Sequence, residues 1–359
     1  MQAQILLTLS VGSLKALVKS GEVALVDIPA FAMREFDLRG LNVPASMFAG
    51  SPIEIFDQLR DNADKAGCPV LILVEEQPLL FAFETDEQRD ATLERINRLA
   101  IAANRLGCNA LSVSCEAPAD DEDAFELTID GIKDAIGKID QFDLNLLIAP
   151  TKGLTDDPDK LTDLIKRVGG FRIGSFPSFG HAETSSDPKE TLRKLAPYAG
   201  GIEATITGRK KGLALDEAID SILSVGYLNT LAINFQGSKN PVDGIRTARR
   251  SLAEALGQLE EEDLEALLEE EFPETTGSES EGDDSETSTG ADTDTDTDAD
   301  TDADTGTDNG KEEELDPSEV DSDEVDAQLD DVDVDDVDVD DVDVEDDEPK
   351  TESDLSEDS

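Results

Sequence analysis

The sequence predicts an α/β protein, a (β/α)8 TIM barrel over residues 1–258, followed by a disordered acidic C-terminal tail. Three observations carry this reading. Eight short apolar, β-rich runs alternate with eight stretches of helical period, a count and length that match a closed barrel. The runs are close to continuously apolar, as expected of parallel strands covered on both faces. Near residue 258 the alternation stops, and the composition turns to Asp, Glu, Thr and Ser.

In chain order, the strand runs are 4–8 (QILLT), 23–28 (VALVDI), 69–74 (PVLILV), 110–114 (ALSVS), 144–148 (LNLLI), 171–175 (FRIGS), 202–206 (IEATI) and 230–235 (TLAINF). Helices are expected near 11–19, 52–66, 86–106, 121–140, 156–168, 187–195, 215–225 and 241–257. Gly67 and Gly107 read as helix stops. Asp157-Pro158, Asp187-Pro188 and Asn240-Pro241 read as helix starts with Pro in the first turn. A ninth piece, 41–46 (LNVPAS), falls between the second strand run and its helix and is expected in a loop at the barrel top. The alternative, an open doubly wound sheet, lacks support because no G-x-G-x-x-G follows the first strand.

The 359 residues carry a formal charge of −57, but unevenly. Residues 260–359 hold 48 of the 86 acids, two of the 29 bases (Lys311, Lys350) and one aromatic, Phe272. A segment this polar cannot bury enough apolar surface to offset chain entropy. Residues 259–272 (LEEEDLEALLEEEF) have helical spacing and are expected to extend the last helix; 273–359 are low in complexity. The D-x-D runs fail as calcium loops: counting from Asp304, position six is Asn309 and position twelve is Leu315.

Such acidity excludes nucleic acid and anionic membrane surfaces as partners, since both need Lys and Arg. It also suits solubility in a salt-rich, halophilic cytoplasm. Cys68, Cys108 and Cys115 are odd in number, lack metal-ligand spacing and sit in or beside apolar runs, so buried free thiols are expected. The start MQAQILLTLS does not read as a signal peptide, and no run approaches the ~20 apolar residues of a membrane span. A cytoplasmic location follows as an expectation.

Residues 143–257 contain three phrases in a telling order: DLNLLIAPTKGLTDDPDKLTDLIKRVGGFRIGSFPSFGHA, LRKLAPYAGGIEATITG and SVGYLNTLAINFQGSKNPVDGIRTARRSL. With ERINRLAIAANRLGCNALSVS upstream, the chain resembles the xylose-isomerase-like TIM barrels, the sugar phosphate isomerase/epimerase family, from about residue 1 to 257. The resemblance implies a divalent metal at the barrel top, held by acids and a His at the ends of strands five to eight. Carried over residue by residue, most of those ligands are missing. The fifth-strand Glu falls on Ala149, the Asp of the D-x-G-H phrase on Ser178 with only His181 retained, the seventh-strand ligand near Thr205, and the eighth-strand Glu on Asn234, with Gln236 where a second acid is common. A hard cation needs carboxylates to neutralise it. The metal site is therefore read as degenerate, and no cofactor is expected.

What remains defines the candidate residues. His181 is the sole histidine, either an acid/base group facing the pocket or a residue fixing its loop. Glu203, on the seventh strand, is a candidate catalytic base with a raised pKa if it faces the barrel interior. Asp27, Glu75 and Glu116 end or follow the second, third and fourth strand runs and are placed at the mouth; each alone reads more often as a loop-ordering or solvated acid, and together with Glu203 they could re-form a ligand site of different geometry. Arg209, Lys210 and Lys211, flanked by Gly208 and Gly212, form the densest basic cluster and, with Lys152, suggest an anionic or phosphorylated small-molecule ligand.

Three functions compete at this point. One is isomerase or epimerase chemistry on a sugar-like ligand. Another is an inactive barrel used as a binding platform. The third is a solubilising or partner-binding role carried by the polyanionic tail, whose partner is unknown.

Overall fold

The computed structural model describes residues 5–118, 121–207, 213–237 and 240–258. In chain order the elements are β1 (Leu6–Ser10), α1 (Lys15–Ser20), α2 (Ile28–Phe36), β2 (Leu41–Pro44), α3 (Glu54–Ala66), β3 (Val70–Val74), β4 (Leu79–Leu80), α4 (Asp86–Leu106), β5 (Ala110–Glu116), α5 (Glu122–Ile139), β6 (Asn145–Ala149), α6 (Pro158–Val168), β7 (Ile173–Ser175), α7 (Phe179–Ala182), α8 (Pro188–Leu195), β8 (Gly201–Ile206), α9 (Leu215–Leu223), β9 (Thr230–Phe235) and α10 (Pro241–Ala255). The segments 259–272 and 273–359, and the cluster Arg209, Lys210 and Lys211, lie outside the described residues.

Every strand pairing is parallel, and the hydrogen-bonded order is β7-β6-β5-β3-β2-β1-β9-β8. The ring closes through bridges Ser175–Ala199 and Ser178–Glu203. There Gly200 N–H donates to Ser175 O at 3.1 Å and Glu203 N–H to Pro177 O at 2.9 Å. The two-residue β4 lies off this ring, beside the end of β5. This is the eight-stranded barrel expected from the repeat count.

Alternation along each strand divides the core in two. The outward set, including Leu9, Leu41, Leu73, Leu111, Leu146, Ile202 and Ile233, forms the large apolar layer under the helices. The inward apolar set is small: Ile72, Ala110, Leu147 and Phe176 plug the barrel centre. Three glycines make room for that plug. A Cβ on Gly200 would stand 2.6 Å from Leu147 Cδ2, one on Gly174 3.1 Å from the same atom, and one on Gly201 3.0 Å from Ile72 Cδ1.

The expected helix signals operate as read. Asp157, Asp187 and Asn240 accept backbone N–H bonds as N-caps ahead of Pro158, Pro188 and Pro241. Gly67 and Gly107 end α3 and α4 in the left-handed conformation. Thr85 and Gln88 add a reciprocal capping box at the start of α4.

One assignment is corrected. The run 23–28 is not the second strand: Leu25–Asp27 is a 3-10 turn and Ile28 opens α2, with Pro29 in the first turn where its missing N–H is harmless. The second strand is Leu41–Pro44, inside the piece expected to be a loop. Its Leu41 packs outward, while Asn42 pairs in register with Ser10 on one side and Ile72 on the other. A polar residue and a proline disguise this strand, because an inward barrel position accepts Asn and a strand's last residue accepts Pro.

Candidate functional site

The mouth is formed by the C-terminal ends of the strands and the loops that follow. Glu203, two residues into β8, faces inward. Asn234 Nδ2 of β9 donates to its Oε1 at 2.6 Å, and the Ser10 hydroxyl at the end of β1 lies on the same side and lowers the carboxyl's pKa. Register explains the meeting: Ser10 neighbours β9 just beyond the Leu9–Ile233 pair, and Thr205, two residues along from Glu203, pairs with Asn234. Burial pushes the Glu203 carboxyl above the usual carboxylate range, and the bonds from Asn234 and Ser10 hold it back only in part. The condition set by the sequence, an inward-facing Glu203, is met.

His181 sits on α7, the short turn after β7. Ser178 Oγ accepts the His181 backbone N–H at 3.1 Å, so the residue standing where the resemblance expects a metal-binding Asp caps this turn instead. The imidazole Nε2 lies 2.9 Å from Asp156 Oδ1 in the loop after β6. An added Cβ on Gly180 would stand 3.0 Å from Thr205 Oγ1, which presses the turn onto the end of β8. His181 therefore ties two mouth loops together, with a carboxylate fixing the orientation of its ring.

The other candidates separate. Glu75 is 5% exposed and committed to structure. Its Oε2 accepts from Arg95 Nε of α4 at 2.9 Å, and its Oε1 from Gln77 N at 3.0 Å. Glu116 ends β5 and is exposed, beside Leu80 of β4. Lys152 is exposed in the loop after β6. Asp27 is displaced from the mouth, a correction that follows from the second strand: it precedes α2, exposed, next to Val26, whose carbonyl accepts from Asn62 of α3 in the outer helical layer. Asp27 and Glu75 thus do not join Glu203.

Sequence reasoning did not flag Ser10, Asn42 or Asp156. Ser10 lay beyond a first strand placed two residues too early, Asn42 lay in the mistaken loop, and Asp156 meets His181 only through folding. Near the mouth, a Lys15–Ser46–Glu76 cluster also joins the loops after β1, β2 and β3: Lys15 Nζ donates to Ser46 Oγ at 3.4 Å, and Ser46 bonds Glu76.

The positions that correspond to the expected metal ligands present Ala149, Ser178, Thr205 and Asn234. Ala149 has no donor, Ser178 is occupied in capping, and the amide N–H of Asn234 is turned to Glu203. Among the described residues, no group of three or more His, Cys, Asp or Glu side chains is arranged to hold a metal ion. None of these four positions supplies a carboxylate. Among the described residues no helix is long and apolar enough to cross a membrane.

No family model and no curated protein matches the chain. Solved structures do. D-psicose 3-epimerase with D-tagatose, from Clostridium cellulolyticum H10, superposes with a TM-score of 0.54 at 10% identity, over 66% of this chain and 92% of that one. The probable 3-DHS dehydratase AsbF of Bacillus anthracis gives 0.56 at 16% identity, over 69% and 99%. A fusion of a xylose isomerase-like TIM barrel with 4-hydroxyphenylpyruvate dioxygenase gives 0.58 at 14% identity, over 75% of this chain and 44% of that one. The fold of residues 5–258 is accordingly that of the xylose isomerase-like TIM barrels.

Proposed function

We propose that the chain is a sugar isomerase/epimerase-like barrel protein that binds a small hydroxylated ligand at the C-terminal mouth without the divalent metal. The observation that carries this reading is the inward-facing Glu203, held by Ser10 and Asn234, with its carboxyl raised by burial. Likeness of fold to sugar epimerases supports the ligand class. The neutral donors Ser10, Thr205 and Asn234 around one carboxyl suit hydroxyls and carbonyls.

Chemically, a carboxyl whose pKa burial raises is a stronger base than an ordinary carboxylate and is suited to taking a proton and giving it back. Asn234 serves both states. Its Nδ2 donates to the carboxylate, and with the amide rotated its Oδ1 accepts from the carboxylic acid. Proton abstraction from a carbon next to a carbonyl is the reaction class within reach of such a group. His181, oriented by Asp156, is a second proton carrier for the same mouth. The basic segment Arg209–Lys211 and Lys152 remain a proposal for an anionic end of the ligand.

Calorimetric titration with D-fructose, D-tagatose and fructose 6-phosphate tests this, on wild type and Glu203→Ala. The expected result is saturable binding of at least one sugar that weakens tenfold or more in Glu203→Ala. Binding unchanged by that substitution, or no binding of any of the three, would contradict the proposal. A gain for the phosphorylated sugar that vanishes in Arg209→Ala/Lys210→Ala would assign the basic segment.

A further inference from the structure

Thr8 and Glu203 both pair in register with Ala232 of β9, and on this inner face the barrel contains polar groups that the reading of the mouth does not use. Asn42 is 1% exposed, Thr8 and Ser112 0%. Asn42 Nδ2, Asn42 Oδ1, Thr8 Oγ1 and Ser112 Oγ have no hydrogen-bond partner among the described residues. All four belong to inward-facing positions. Thr8 shares the inner face with Ser10 on β1, and Asn42 is the register partner of Ser10 on β2. Ser112 is level with Val74, on the far side of β3. Thr8 lies over Gly40, where an added Cβ would stand 2.8 Å from Thr8 Cγ2, so one wall of this space is glycine backbone.

A buried carboxamide left with neither donor nor acceptor satisfied is among the costlier arrangements in a protein interior. An apolar residue of similar volume would fill the same place without that cost. Ordered water, which both donates and accepts, resolves it where two or more polar groups converge.

We propose that the barrel holds an internal water site on Asn42 and Thr8, and that Ser10 links it to Glu203. The water accepts from both Asn42 Nδ2–H and the Thr8 hydroxyl and donates to Asn42 Oδ1 and to Ser10 Oγ, whose own hydrogen is turned to Glu203. Every group in that chain is then paired, and the Glu203 carboxyl gains a hydrogen-bonded connection to the barrel interior as well as to the mouth. Such a connection stays in place when a ligand covers the mouth. The site is independent of which ligand binds above it.

Asn42→Leu and water–amide NMR on the wild-type chain test the site. The expected results are a cross-relaxation signal between a long-lived water and the Asn42 side-chain NH2 protons, and a Tm for Asn42→Leu lowered by about 3–6 °C, because Thr8 and Ser10 lose their shared partner. The carboxyl stretch of Glu203, followed by infrared difference spectroscopy against Glu203→Gln, is expected to shift its titration midpoint in Asn42→Leu. Absence of the water signal in wild type overturns the proposal even if Asn42→Leu fails to fold. A Tm raised by Asn42→Leu overturns it too, since the amide would then have been unpaired. An unmoved Glu203 midpoint would refute the link through Ser10.

Discussion

The Asn234 side-chain amide stands 2.6 Å from the Glu203 carboxylate, joining β9 to β8 on the inner face of the barrel. The bond favours the ionised carboxyl, while burial, the larger effect, favours the protonated one. The folded pKa of Glu203 is therefore raised above its ordinary value of 4.5. A raised pKa means the native state binds the proton more tightly than the unfolded chain. Its contribution to stability is fully present below the unfolded pKa and is lost as pH rises through the folded pKa. Glu203→Gln removes this dependence. In urea unfolding across pH 4 to 8, the variant is expected to gain on wild type as pH rises, by about 1.4 kcal/mol per unit of pKa separation. A wild-type-minus-variant difference independent of pH would contradict a half-buried Glu203 with a raised pKa.

The Glu75–Arg95 pair holds the loop after β3 to α4. Its carboxylate side chain is 3% exposed and its guanidinium 39%. Arg95→Ala leaves a buried carboxylate with only Gln77 N–H as partner. The expected loss is about 2 kcal/mol of unfolding free energy, measured by urea denaturation at neutral pH. Glu75→Gln is expected to lose less, because a neutral amide costs less to leave half-paired.

Two glycines of α5 behave in opposite ways. A Cβ on Gly131 would stand 2.1 Å from the Phe81 carbonyl oxygen, backbone that cannot swing aside. Gly131→Ala is expected to destabilise by about 2–3 kcal/mol. Gly137 is exposed in the same helix with open space around it. Gly137→Ala is expected to stabilise by about 0.5–1 kcal/mol through helix propensity alone. Thermal melts of the two variants beside wild type check both signs.

Cys68, Cys108 and Cys115 are buried and free, and burial pushes each thiol up to about 12. Thiolate is the reactive form. A thiol-specific chromogenic reagent at pH 8 is expected to titrate no thiol quickly in the native protein and all three in denaturant. Rapid native labelling would contradict this placement.

The barrel was readable from sequence because its repeats carry local signals: apolar strands, an Asx-Pro start at α6, α8 and α10, and a glycine stop at α3 and α4. The second strand was not, because Asn42 and Pro44 break the strand pattern for reasons that lie in other strands. Asn42 fits an inward barrel position opposite Ser10, and Pro44 ends the strand opposite Val74. The site divides in the same way. Glu203 stands out as a carboxylate in an apolar strand, and Asn234 as an amide where an acid was expected. Ser10 and Asp156 carry no local mark. Ser10 reaches Glu203 only through ring order β1-β9-β8, and Asp156 reaches His181 only through adjacent loops. Such pairings depend on register and closure, which a single sequence does not display.

The proposal of a mouth that works without a divalent metal is tested most directly by calorimetric titration of chelator-treated protein with Mn²⁺, Co²⁺ and Zn²⁺ at neutral pH and fixed ionic strength. High salt suppresses diffuse condensation on the acidic tail. The expected result is no binding tighter than millimolar that is lost in Glu203→Ala. One micromolar or tighter site per chain, abolished by Glu203→Ala or His181→Ala, would contradict it.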